Sequence, residues 1–242
     1  MVNIRKPNVA GQFYPDQTKV LSEMINKFLS EVHVNIKEKP KAIIVPHAGY
    51  TYSGPIAATA YATLLPYKES IKKVILLGPT HRMSFKGVAA TMVDYFETPL
   101  GSIPIDHNIQ EISSSQIVNV NETAYEMEHS IEVQLPFLQT VLNKFELLPL
   151  IVGDIEFIKV ADIINNLWDS DETLIVVSSD LSHYKAYYSA QTLDTLTSSI
   201  IEKLAPNELQ SEQVCGLIPI QGLLQVAKQK NIQVRTLDVR NS

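Results

Sequence analysis

Apolar residues along this chain come in two rhythms. Behind Asp16, placed as a helix N-cap, Val20, Leu21, Met24, Ile25, Phe28 and Leu29 recur at helical spacing. Ala42-Ile43-Ile44-Val45-Pro46 is instead a short continuous run closed by proline, the pattern of a strand buried on both faces. Ser53 then reads as the cap of a second helix, with Pro55 in its first turn and an alanine-rich body to Leu65. Val74-Ile75-Leu76-Leu77, stopped by Gly78-Pro79, is a second strand; 147–152 and 173–177 are a third and a fourth. Helical patterns near 129–142, 157–167, 188–204 and 215–230 alternate with them, and 232–239 reads as a late strand.

Strands alternating with helices of this length imply βαβ units, hence a three-layer α/β/α fold around a largely parallel mixed sheet. The stretch 87–105 departs from the rhythm: Gly87-Val88-Ala89-Ala90 and the residues from Phe96 to Ile103 read as extra strands or a hairpin. There is no linker-like tract and no internal repeat, and Ser113-Ser114-Ser115 reads as a loop, so residues 1–242 are expected to form one domain.

Composition narrows the function. A hydrophobic fraction of 45% supports a sizeable core, and a net charge of −6 without a Lys/Arg block argues against nucleic-acid binding. One cysteine cannot make an intramolecular disulfide, the N-terminus lacks the apolar core of a signal peptide, and no apolar run is long enough for a bilayer, so a cytoplasmic protein with no membrane association is expected.

Reactive side chains gather where such a sheet binds ligands, at the carboxyl ends of its strands. The first core strand runs into His47, the second into His81, and the fourth into Asp180 and His183. Any one histidine after a strand is ordinarily a loop residue; three at one sheet edge point to a site. Gly49 and Gly78 are expected to let the backbone approach a ligand. Cys215 opens the last helical segment, where free N–H groups and the helix dipole favour a thiolate, although a lone cysteine also serves as a small buried hydrophobe. Glu128 and Glu132, four residues apart, are expected to share a helical face with His129 turned away from it, as N-terminal acids that favour the dipole.

Other chemistries lack their signatures. HExxH, GxGxxG, GxxxxGK[ST] and GxSxG are absent, which removes the zinc-protease, dinucleotide, P-loop and α/β-hydrolase motifs, and no nucleotide cofactor is expected. Ser179-Asp180-Leu181-Ser182-His183 holds the letters of a catalytic triad, but too close together to converge as one.

The strings Asn8-Val9-Ala10-Gly11-Gln12-Phe13-Tyr14-Pro15, Val45-Pro46-His47-Ala48-Gly49-Tyr50-Thr51-Tyr52-Ser53-Gly54, Leu77-Gly78-Pro79-Thr80-His81, Glu97-Thr98-Pro99-Leu100-Gly101, the run from Glu128 to Phe137, and the run from Ser178 to Tyr184 resemble the MEMO family. Its prokaryotic members are also called AmmeMemoRadiSam system protein B. The resemblance covers residues 5 to about 240. It implies a fold similar to the class III extradiol (LigB-type) dioxygenases, which hold non-haem Fe(II) with two histidines and a carboxylate. By position it makes His47, His81 and Cys215 metal ligands, the cysteine standing where the dioxygenases have glutamate. It makes His183 the remaining pocket histidine, acting on protons with Asp180 beside it. It implies iron or copper as cofactor, redox chemistry, and a radical-SAM protein as partner; substrate and oligomeric state stay open. The resemblance departs at the end, where family members continue past the position of Asn241-Ser242, so an edge strand is expected to be missing or shorter.

A thiolate among the donors favours Cu(I), Zn(II) or Fe(II) over Mg(II), and as an oxidisable ligand it keeps dioxygenase activity from being assumed. Three functions remain on this reading: a metal-dependent redox protein, a metal-free module binding a peptide or small anion, and a Cys/His hydrolase or transferase with Cys215 as nucleophile.

Overall fold

The computed structural model describes residues 2–34, 36, 38–108, 117–168 and 170–241. Six strands form the central sheet: β2 (Ala42–Val45), β3 (Lys73–Pro79), β4 (Val88–Ala90), β7 (Val118–Val120), β8 (Glu146–Val152) and β9 (Thr173–Ser178). Their order is β2-β9-β3-β8-β4-β7, parallel throughout except where β4 pairs antiparallel with β8. A second sheet of order β1-β5-β6 combines β1 (Ile4–Arg5) with the hairpin of β5 (Tyr95–Thr98) and β6 (Gly101–Pro104).

Alternation of side chains across the pleat divides the core in two. Val74 and Leu76 of β3 face one cluster, with α1 (Thr18–Ser30), α2 (Tyr50–Ala62) and α3 (Leu135–Val141). Ile75 and Leu77 face the other, with α4 (Phe157–Asn166), α5 (Tyr187–Glu202) and α6 (Leu217–Gln229). The result is the α/β/α layering and mostly parallel sheet that continuous apolar strands require. Among the described residues no helix is long and apolar enough to cross a membrane.

Several boundaries differ from the sequence reading. Asp16 lies one residue too early to cap α1, whose N-cap is Gln17. Ser53 is not a cap either: α2 begins at Tyr50, whose buried ring and N–H, donating to the Phe13 carbonyl at 2.7 Å, start the helix early. Ser53 instead turns its hydroxyl back to the Ala48 carbonyl, and Pro55 sits inside the helix rather than in its first turn. The segment 129–142 is helical only from the 3₁₀ turn Glu132–Gln134 onward, with Pro136 in the first turn of α3. Residues 232–239 form no strand, because their contacts are to side chains: the Thr236 N–H donates to Glu202 Oε1 at 2.7 Å, and Asp238 Oδ2 accepts from Thr59. The loop expected at Ser113-Ser114-Ser115 lies outside the described residues.

Candidate metal centre

Neighbouring strands deliver the site. β2, β9 and β3 are adjacent and parallel, so the loops after them, carrying His47, Asp180 and His81, leave the sheet side by side. Cys215 reaches the same place from the turn before α6. Its N–H donates to the Asp180 carbonyl at 3.3 Å, and the Asp180 N–H donates back to Sγ at 3.2 Å. The Gly216 N–H donates to Ser179 Oγ at 2.9 Å, holding that turn against the end of β9.

Two of the site imidazoles, His47 and His81, have Nδ1 within hydrogen-bond distance of an oxygen. His47, 1% exposed, places Nδ1 2.9 Å from Ser178 Oγ and Nε2 3.2 Å from Cys215 Sγ. His81 places Nδ1 2.9 Å from Glu128 Oε1. His129, from the loop before α3, has Nδ1 3.5 Å from the same carboxylate oxygen. One nitrogen of each of His47, His81 and His129 lies within 4.8 Å of the others, so this group could hold a metal ion. His81 and His129 stack at 4.8 Å between centroids, whereas His47 stands edge-on to both.

Charge is organised around these rings. Glu128 is buried, which opposes ionisation, but hydrogen bonds and charge from His81 and the N–H groups of His81 and Ser130 bring it down to about 2. Burial likewise opposes a charge on His81, yet its bonds to Cys215 and Glu128 raise it to about 10. Burial pushes the Cys215 thiol up, and hydrogen bonds with His47 and His81 outweigh that, bringing it to about 6. Burial, with the neighbouring His47, lowers His129 to about 4, leaving a neutral imidazole. A metal cation would displace any proton held on a donor nitrogen or sulfur of this cluster.

Asp180 ties the cluster to the rim. Its Oδ1 accepts from the N–H groups of His47 and Ala48 at 2.7 and 3.2 Å, and Oδ2 lies 3.5 Å from His183 Nε2. Burial opposes its charge, but the histidine contacts and the His47 N–H lower it to about 2. His183, 44% exposed, is raised mainly by the hydrogen bond to Asp180. Tyr184 follows with φ 55° and its ring fully in solvent. A non-glycine residue in that left-handed region marks a constrained turn.

The structure thus brings together His47, His81, Cys215, Asp180 and His183, and adds Glu128 and His129. Spacing predicts Glu128 as a first-turn helical acid with His129 turned off its face, but residues 128 and 129 precede the first helical turn. Glu128 curls over its own following N–H groups and points into the site, while Glu132 accepts from the Asn8 and Val9 N–H groups and Tyr14 elsewhere. Cys215 lies just before the N-cap Gly216, outside the first turn of α6, so the side chains around it lower its pKa. Gly78 serves packing, not a ligand: a Cβ there would come within 2.6 Å of Ser130 Oγ. At Gly49 it would make only ordinary contact, 3.5 Å from the Phe13 carbonyl.

This fold and site define an α/β protein with a cluster of histidines and one thiol at the carboxyl edge of its sheet. The family model described as Memo-like protein matches residues 5–242, and the chain belongs to that family. A MEMO1 family protein of Aquifex aeolicus is 37% identical, covering 90% of this chain and 84% of its own. One from Nitrosopumilus maritimus is 38% identical over 82% of this chain and 76% of its own. The crystal structure of an uncharacterized protein from Escherichia coli K12 superimposes with a TM-score of 0.48 at 13% identity, covering 69% of this chain and 80% of that one.

Proposed function

We propose that this Memo-family protein is a metal-dependent redox protein in which His47, His81 and Cys215 hold one iron or copper ion. The observation that supports it is the 3.2 Å approach of Cys215 Sγ to His47 Nε2, in a pocket where the Nδ1 atoms of His47 and His81 are already hydrogen-bonded to oxygens. Outer-atom hydrogen bonds of this kind orient histidine ligands and leave Nε2 as the coordinating atom. Two imidazoles and a soft thiolate suit Fe(II), Cu(I) or Zn(II). A bound iron or copper ion would supply redox chemistry and polarise a ligand at its open positions. His183 would hold a proton on Nε2 at the rim, and the Asp180 carboxylate would orient it and stabilise its charge.

Metal analysis of protein purified without a His-tag, followed by anaerobic reconstitution with Fe(II) or Cu(I), tests this reading. One ion per chain is expected, lost in His47→Ala, His81→Ala and Cys215→Ser. His129→Ala tells whether the third imidazole also coordinates. If no ion is retained and the three variants match wild type, the reading is wrong.

The depressed Cys215 pKa and its contact with His47 favour a second reading, a thiolate nucleophile. That reading requires a covalent adduct on Cys215 whose formation survives complete chelation.

A further inference from the structure

Behind His47 lies a chain of buried hydrogen bonds whose direction can be worked out atom by atom. Ser178, Ser130 and Tyr61 are 0% exposed and Gln134 is 1% exposed, so bulk solvent does not reach their polar atoms. Gln134 Nε2 lies 2.8 Å from the Pro46 carbonyl and 2.8 Å from Ser178 Oγ, and Oε1 lies 2.8 Å from the Tyr61 hydroxyl. A carbonyl can only accept, so the amide nitrogen must face Pro46 and Ser178, and Tyr61 donates to Oε1. Ser178 Oγ has one hydrogen. It lies 2.6 Å from the Ser130 carbonyl, which also can only accept, and therefore takes that hydrogen. Toward Gln134 and toward His47 Nδ1, at 2.9 Å, the hydroxyl has only lone pairs left to offer.

We propose that Ser178 is a positioning residue that holds a proton on His47 Nδ1, whether or not Nε2 also carries one toward Cys215, so that Nε2 is the atom open to Cys215 and to a metal. The opposite tautomer would leave two electron pairs facing each other across 2.9 Å, or require Ser178 to abandon the buried Ser130 carbonyl. Either alternative strands a buried polar group, which the interior penalises. Gln134 and Tyr61 support the arrangement by filling the second lone pair of Ser178 from a fixed direction. Residue 178 closes β9 in register with Val45 at the end of β2, so the sheet itself sets the distance from Ser178 to the residues following Val45. The tautomer claim stands on the metal-free protein; only its consequence for metal affinity rests on the proposed function.

The test is ¹⁵N NMR of metal-free protein labelled at histidine, recorded at mildly alkaline pH, with the His47 signals assigned by their loss in His47→Gln. A protonated Nδ1 is expected in wild type and in Ser178→Thr, which keeps the hydroxyl. In Ser178→Ala the Nδ1 signal is expected to move toward that of an unprotonated nitrogen, and affinity for Co(II), followed by its thiolate charge-transfer band, to fall roughly 10- to 100-fold. An unprotonated Nδ1 in wild type overturns the proposal, even if Ser178→Ala fails to fold. So does a folded Ser178→Ala protein with the wild-type tautomer. A wild-type protein that binds no metal, yet shows the expected tautomer, overturns the metal reading and leaves the positioning role standing.

Discussion

Glu128 accepts four hydrogen bonds, from the N–H groups of His81, His129 and Ser130 and from His81 Nδ1, while its side chain is almost wholly buried. Removing its charge therefore leaves donors aimed at a weaker acceptor. Its pKa falls from 4.5 to about 2 on folding, so its contribution to stability is complete above pH 4.5 and is lost as pH falls toward 2. In urea titrations of metal-free protein, Glu128→Gln is expected to be less stable by roughly 2–3 kcal/mol near neutral pH. Its stability should also vary less between pH 4.5 and 2 than that of wild type. An unchanged acid limb would show that the carboxylate is not what responds there. Glu128 was legible as an acid in the sequence, but its role was not: the spacing to Glu132 suggested a shared helical face, and Pro136 delays the α-helix to Leu135.

Among the elements, the junction of β9 with α6 governs the site most directly. A Cβ on Gly216 would lie 2.7 Å from Ser179 Cβ and 3.0 Å from the Ser178 carbonyl, and neither atom can swing aside as a side-chain tip can. Gly216→Ala must push the start of α6 away from β9, carrying Cys215 with it. A loss of about 1–3 kcal/mol in chemical denaturation is expected, together with weaker thiol-dependent metal binding. Wild-type behaviour in both measurements would mean the junction relaxes without cost. The periodicity of 215–230 located α6 in the sequence, but its start depended on this contact, and Cys215 fell outside the first turn. The segment 232–239 has strand-like apolar residues and still joins no sheet, because pairing needs a neighbouring backbone as well as propensity.

At the scale of the molecule, the candidate ligands come from three separate stretches, His47 and Cys215 lying 168 positions apart. Unfolding disperses them, so an ion that binds only the assembled site stabilises the whole fold. A hundredfold excess of free metal over its Kd should add about 3 kcal/mol, a rise in Tm of roughly 5–10 °C for a chain of this size. Calorimetry with and without Fe(II) under anaerobic conditions, followed by chelation, measures it. A shift of the same size in His47→Ala would place the binding elsewhere. The buried hydrogen-bond chain behind His47 belongs to this scale too, since it joins side chains of β9, α2 and the turn before α3 on one face of the sheet.

The sequence by itself determined the layered α/β architecture, because continuous apolar strands can be satisfied only by a sheet covered on both faces. It also determined that His47, His81, Asp180 and His183 follow strands, because apolar runs ending in proline, glycine or serine mark those ends in one dimension. Only the tertiary structure decided that β2, β9 and β3 are neighbours, which is what turns separate strand ends into one pocket. It alone placed Cys215 against His47 and brought Glu128 and His129 in from a loop. These depend on strand order and on hydrogen bonds between residues far apart in the chain, which no local pattern encodes.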